Sequence, residues 1–538
     1  MLNSKSRYAM KRNKLNILAL LALTGVLTTT SCTKDFININ TNPITYGPTN
    51  FDPNFTLTTA QMTYTGSIDL AYDTWRANLI YSGTMMQGLS SVISYWAGDK
   101  YLLNPLYTSA YWERAYDEQV KPIVDVVVMT NDNEKYKNVH QVARIWKTLV
   151  FARITDLYGD VPYSEAGQGY YLKKLSTKYD KQQDIYMDML KEIDEAVNAL
   201  DENGDKVTGD AIYGGNLDKW RRLGNSIMLR LAMRLTKVDE NTAKTYATKA
   251  IGKTLTGNGD NAIVKHDTKG LRITKNRNSQ VLVGDGGSEH YYVKWSNTFI
   301  DALKSTNDPR INVAATMVWP DVNTKEFENI NPNFVTDPTK QKGMPNGKDL
   351  NSNPQYALSS HPSYTTIPEY SSPHPGMIKP DGITFILTYA ESELLLAEAA
   401  ERWGIGGSAS THYANAVKAG ITFLGQYDDR LSISESTAEA YANAHPLTDG
   451  VKQISEQYWI HQNTALNFYE SWANWRRTGY PELTPVDYPG NATNATIPRR
   501  FPYPSAEEAG TNRAYFKEAA AAIPGGDKLT GRVWWDKQ

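Results

Sequence analysis

The sequence predicts a mainly α-helical protein built from helix pairs of tetratricopeptide type, interrupted by a long loop-rich insertion. Three observations carry this expectation. Tyr186, Met189, Leu190, Ile193, Val197 and Leu200 recur at the i, i+3, i+4, i+7 spacing of one helix face. Leu223, Ile227, Leu231 and Leu235 stack at four-residue intervals, and Trp220, Leu223 and Gly224 match the W-x2-L-G opening of a tetratricopeptide repeat. Between Ser305 and Ile383 the period disappears and 11 of the 25 prolines gather, a structureless length that inside a domain is usually functional or a linker.

Taken from the N-terminus, residues 1–31 read as a targeting signal. Lys5, Arg7, Lys11, Arg12 and Lys14 form a cationic start, and Leu15 to Leu27 is an apolar run too short for the ~20 residues that span a bilayer. Small residues Thr28 to Ser31 then lead to Cys32, the only thiol of the chain. That placement resembles a lipobox, which predicts lipid attachment at Cys32. An ordinary secretory cleavage with Cys32 incidental is the plainer alternative. Residues 32–55, rich in Asn, Thr and Pro, read as a tether. One large domain, 56–538, follows: a helical repeat part at 56–255, a loop-rich ligand-facing part at 256–383, and a helical return at 384–538. In the first part Ile145, Leu149, Ala152 and Ile154 mark a helix that Gly159 and Pro162 end. In the last, Tyr389, Leu394, Ala397 and Ala400 mark another, with Gly404 as its C-terminal cap.

Composition narrows the function. In 538 residues, 41% apolar, there is ample material for a large core. A formal charge of −2 argues against a nucleic-acid partner, whose phosphates demand a basic surface. A single cysteine excludes a disulfide framework, a Cys-ligated zinc site and an iron–sulfur cluster. The eight histidines form no H-E-x-x-H pair, and no G-x-S-x-G elbow occurs. Gly343 to Asp349 imitates a P-loop with its glycines one residue too close. Asp201, Asn203 and Asp205 begin like a calcium loop but lack its turn glycine and bidentate Glu. The expectation is a non-enzyme without a cofactor. The sequence leaves open a structural calcium ion, and also a carboxylate pair for glycoside hydrolysis, whose ~5–9 Å separation is a property of the fold.

Aromatic usage points elsewhere: 34 Tyr and 13 Trp against 12 Phe. Tyrosine and tryptophan join an apolar face to a polar edge, which suits amphipathic, hydrated ligands such as sugar rings. Ligand-facing candidates are those on loops rather than helix stripes. Tyr95, Trp96 and Tyr101 surround Gly98 and Asp99 in one polar turn, Trp319 precedes Pro320, and Tyr292 borders the loop-rich part. The predicted ligand set is therefore Tyr95, Trp96, Asp99, Tyr101, Tyr292 and Trp319. Two clusters have structural alternatives. Asp156, Asp160 and Glu165 read either as acids for catalysis or as a helix end with its turn and cap. Arg230 and Arg234 with Glu391 and Glu398 read either as a ligand clamp or as buried pairs bridging repeat helices.

Seven segments in series resemble the SusD/RagB-like family of outer-membrane nutrient-binding lipoproteins. They are Lys34 to Pro43 (KDFININTNP), Thr155 to Ala166 (TDLYGDVPYSEA), Trp220 to Leu235 (WRRLGNSIMLRLAMRL), Tyr389 to Ala400 (YAESELLLAEAA), Glu470 to Pro481 (ESWANWRRTGYP), Arg499 to Pro504 (RRFPYP) and Gly525 to Asp536 (GGDKLTGRVWWD). The resemblance implies a SusD-like fold and a surface lipoprotein of the outer membrane. It also implies capture of oligosaccharide for a SusC-like TonB-dependent barrel transporter, which the protein would cap as a hinged lid. A peptide receptor of the same lid type, a surface glycosidase and a purely structural adaptor are the alternatives.

Overall fold

The computed structural model describes residues 51–69, 71–270, 272–283, 289–316, 335–351 and 353–538. Cys32, the tether up to residue 50 and Trp319 lie outside them. Pro53–Gln538 form one unit. Its first half contains α1 (Pro53–Thr63), α2 (Pro105–Arg114), α3 (Lys121–Thr130), α4 (Lys137–Tyr158), α5 (Gln182–Ala199), α6 (Leu217–Arg234) and α7 (Glu240–Ala250). After a middle region with α8 (Asn297–Ser305), the second half contains α9 (Tyr389–Trp403), α10 (Ala409–Thr422), α11 (Glu435–Ala444), α12 (Gly450–Thr464), α13 (Phe468–Thr478) and α14 (Arg513–Ala522).

Consecutive helices stack: α3 on α4, α4 on α5, α5 on α6 and α6 on α7, then α9 on α10 and α10 on α11, with α12 packing on α9 and α13. The reason is patterning. On α5 the stripe Tyr186, Met189, Leu190, Ile193 and Val197 is buried while its opposite face is charged. The Asn216 side chain caps α6 by accepting from the Lys219 N–H. From Leu223 onward every α6 residue is buried, including Arg230 and Arg234. Helix α6 also touches α9 and so joins the two halves. Gly159 ends α4 at φ +93° and Gly404 ends α9 at φ +63°, conformations that glycine adopts without strain.

Burying arginines requires partners, and they come from helices distant in sequence. The Arg230 Nε and Nη2 donate to both Glu391 oxygens, at 2.6 and 2.7 Å. Arg234 reaches Glu470 and Asp156, and Arg477 grips Glu398 with two bonds of 2.5 Å. The structural alternative therefore holds, with one correction: Glu398 serves Arg477 and Arg402 rather than Arg230 or Arg234. Burial opposes ionisation of Glu470, yet the guanidiniums of Arg230, Arg234 and Arg153 outweigh it and hold its pKa down to about 2. The C-terminal residues close the same region. The Trp535 indole N–H donates to Asp156 at 2.8 Å, and Arg499 pairs with Asp536.

Short antiparallel strand pairs lie among the helices. β1 (Leu89–Ser91) precedes α2, β2 (Val161–Pro162) and β3 (Tyr179–Asp180) lie between α4 and α5, and β4 (Ala262–Lys265) follows α7. β5 (Val293–Trp295), β6 (Ala314–Thr316), β7 (Ser371–Pro373) and β8 (Ile383–Leu387) come next in the chain. The pairs are β1–β5, β2–β3, β4–β8 and β6–β7. In β1–β5, Leu89 faces Trp295 and Ser91 faces Val293. This sheet positions the candidate site.

Candidate ligand-binding surface

The turn of residues 92–101 follows β1 and lies against the π-helical segment Thr74–Gly83. Gly98 makes that approach possible, because a Cβ there would sit 2.1 Å from the Ile80 carbonyl oxygen. The turn is tied from below. Lys100 Nζ, itself buried, donates to the carbonyls of Ser91 and Trp96 and pairs with Asp99 at 3.2 Å. Asp99 in turn accepts from the Gly347 N–H at 2.9 Å and the Asn346 amide at 3.2 Å.

This architecture divides the predicted ligand set. Trp96 has no exposed surface, and its indole N–H donates to Glu289 at 2.7 Å. Asp99 is fully buried under Gly347. Tyr101 is buried at φ +52°, with its hydroxyl accepting from the Val486 N–H at 3.2 Å. The expectation that these three face ligand is corrected: a side chain enclosed in this way has no face left on which a sugar could stack. Their work is to hold the turn. Tyr95 is different, 38% exposed, with its hydroxyl donating to Glu289. Burial raises the pKa of Glu289, against the effect of the two hydrogen bonds it accepts. Tyr292 is half-buried, edge-on to Tyr291 with centroids 4.7 Å apart. Trp319 lies outside the described residues.

The structure adds neighbours that sequence reasoning missed. Trp75 meets Tyr95 edge to face at 6.2 Å. The Arg76 guanidinium lies 3.8 Å from the Tyr72 centroid, 4.5 Å from Trp75 and 4.9 Å from Tyr107. The Trp75 indole N–H and the Arg76 Nε are both buried, without a partner among the described residues. Leu103 and Leu106, just before Tyr107 in the chain, are exposed, and Tyr364 packs against the same small apolar cluster as Tyr291 and Tyr292. The available signal was Y-D-T-W-R at 72–76, aromatics three apart beside an arginine. What results is an aromatic surface with a cation framed by rings, suited to noncovalent binding of a ligand with apolar faces and polar edges.

Residues read as an acid set do not converge. Asp156 is buried and accepts from Tyr186 and Trp535, Asp160 caps Gln182 at 2.8 Å, and Glu165 pairs with Lys174 at 2.5 Å. Among the described residues, no group of three or more metal-ligating side chains occurs, and no helix is long and apolar enough to cross a membrane.

Comparison with known proteins gives a consistent result. A family model of SusD-like proteins, described as starch-binding and associating with the outer membrane, matches residues 50–504. Among solved structures, a chitin-binding protein is 34% identical over 90% of this chain and 100% of its own, with a TM-score of 0.77. A SusD-like protein of Bacteroidetes is 24% identical over 91% and 100%, with a TM-score of 0.77. A chitin-binding SusD homologue from Flavobacterium johnsoniae is 21% identical over 90% and 99%, with a TM-score of 0.70. The last two share the fold. No curated protein matches the chain.

Proposed function

We propose, from the premise that this chain belongs to the SusD-like family of carbohydrate-binding, outer-membrane-associated proteins, that it is a non-catalytic receptor for oligosaccharides. In this reading it hands its ligand to a SusC-like TonB-dependent barrel transporter. The observation that carries it is the aromatic surface of Tyr72, Trp75, Tyr95 and Tyr107 around Arg76. Rings stack on the C–H faces of sugars while the outer edge of the Arg76 guanidinium and the Tyr95 hydroxyl meet their oxygens. No covalent step is needed. The 34% identical relative is a chitin-binding protein, so oligomers of N-acetylglucosamine head the panel of ligands to try.

Calorimetric titration of the Thr33–Gln538 protein against glycans and mixed peptides tests the reading. Tyr95→Ala is expected to weaken glycan binding by ~1–3 kcal/mol, the scale of an aromatic hot spot. Peptide binding without glycan binding would replace the ligand class. Release of product sugars during titration would replace the receptor by a glycosidase.

The attachment at Cys32 belongs to the same proposal. Acyl chains contribute ~0.8 kcal/mol per buried methylene, and two or more anchor a protein stably. Cys32→Ala should therefore move the protein from the membrane to the soluble fraction in cells lacking the transporter. Its persistence in the membrane there would sink the anchor.

A further inference from the structure

A second cleft, of about 520 Å³, opens at the other end of the β1–β5 sheet, lined by Gln87, Asn297, residues 345–348, Gln355, Tyr356, His361 and residues 484–487. Gln87 lies just before β1 and Ile93 just after it, so at most roughly 20 Å of extended chain separates this cleft from the turn that carries Tyr95. Residues 345–348 of the P-loop-like run at 343–349 line the cleft, and that run is built rigidly. Gly343 presses on the Ser296–Asn297 backbone, where a Cβ would lie 2.3 Å from the Asn297 Cα. Gly347 adopts φ +72° against Val486, and its N–H is held by Asp99. The Asn346 amide is saturated by Ser296, Leu89 and Asp99, and the Gln87 amide by Thr298 and Thr484.

The walls are looser: Lys348 Nζ donates to the Gln355 carbonyl at 2.8 Å, and several other polar side chains lack partners among the described residues. There, no side-chain hydrogen bond is made by the amides of Asn297 and Gln355 or by the Tyr356 hydroxyl. Asp487 has only a distant contact, 3.5 Å from the Asn491 amide. The His361 Nδ1 accepts from the Ser363 N–H at 3.2 Å, which in the neutral ring places the proton on the unpartnered Nε2. The Tyr356 ring is fixed edge-on by Tyr488 at 5.1 Å, and Tyr488 is itself anchored on Asp349 at 2.6 Å. One lysine, Lys348, balances one carboxylate, Asp487. A strongly charged ligand would find no excess of either sign here, and an apolar one would leave the amides unsatisfied. Donors and acceptors mixed around one aromatic face fit a neutral, polyhydroxylated ring.

We infer that this cleft is a second glycan site, taking a neutral sugar unit against Tyr356 with Asn297, His361 and Asp487 on its hydroxyls. The inference rests on the glycan-receptor reading, and the test separates the two. Calorimetry with short N-acetylglucosamine oligomers and the glycan panel is run on the full chain, on Tyr95→Ala/Tyr292→Ala, and on that double variant carrying Tyr356→Ala or Asp487→Asn. The double variant should retain one binding event, weakened about tenfold by Tyr356→Ala and a few-fold by Asp487→Asn, an exposed loop change that leaves the fold alone. Complete loss of binding in the double variant would overturn the second site and keep the receptor. Residual binding indifferent to both added changes would also overturn it. Silence of the unaltered chain toward every sugar would overturn both.

Discussion

Replacing Glu470 by Ala should destabilise the protein by about 3–5 kcal/mol, because it strands buried guanidiniums without their counter-charge. Glu470 contacts Arg234 and lies 3.6 Å from Arg230, and all three side chains are nearly inaccessible. Denaturant midpoints measure this, and a loss below about 1 kcal/mol would show that the network relaxes around the gap. The same network sets the acid limit. Glu470 and Glu398 are both held down to about 2 in the fold, by arginines that outweigh the opposing effect of burial. In the unfolded chain they take the ordinary carboxylate value. Their stabilisation is therefore complete above the ordinary value and drains away as pH falls toward 2. Glu470→Gln should flatten that decline.

Lys294→Met should act in the opposite direction. Lys294 occupies the middle of β5, opposite Ser90, fully buried, and its ammonium donates only to the Ser372 hydroxyl at 2.8 Å among the described residues. Burial alone pulls its pKa down to about 7. Between roughly pH 7 and the ordinary lysine value near 10.5 the unfolded chain holds a proton that the folded chain has released, so stability rises with pH across that window. A methionine abolishes this slope. At pH 7 it should gain about 2–4 kcal/mol, since each tenfold change in a proton-binding constant is worth ~1.4 kcal/mol, less the hydrogen bond lost by Ser372. Melting of both proteins at pH 6, 7.5 and 9 decides it. Parallel curves would mean that the ammonium is already compensated.

The helices were legible because their cores are written in a local period: the Tyr186 to Val197 stripe needs no knowledge of its partner to be read as a buried face. The cap at Gly404 and the stop at Gly159 are equally local. The ligand surface is not local. Trp96 and Tyr95 are adjacent, yet one is sealed and the other exposed, and the acid that holds both, Glu289, lies nearly 200 residues away. Asp99 looks like a loop carboxylate until Gly347 arrives from across the chain to occupy it. The partners of Arg234 and Glu398 could be named as a class, buried arginine with buried glutamate. Which acid meets which arginine depended on α13, which no spacing within α6 or α9 reveals.

The bond from Trp535 to Asp156 spans 379 residues. At a synthesis rate of ~5–20 residues per second, roughly 20 to 75 seconds pass between the appearance of the acid and that of its indole donor. Throughout that interval the helix end bearing Asp156 has a carboxylate to hide and only part of its retinue. Tyr186 arrives early, Arg234 next, and the indole last. The stacked helices can form in order as they emerge, and the surroundings of Asp156 are completed only when the distant segment bearing Trp535 arrives.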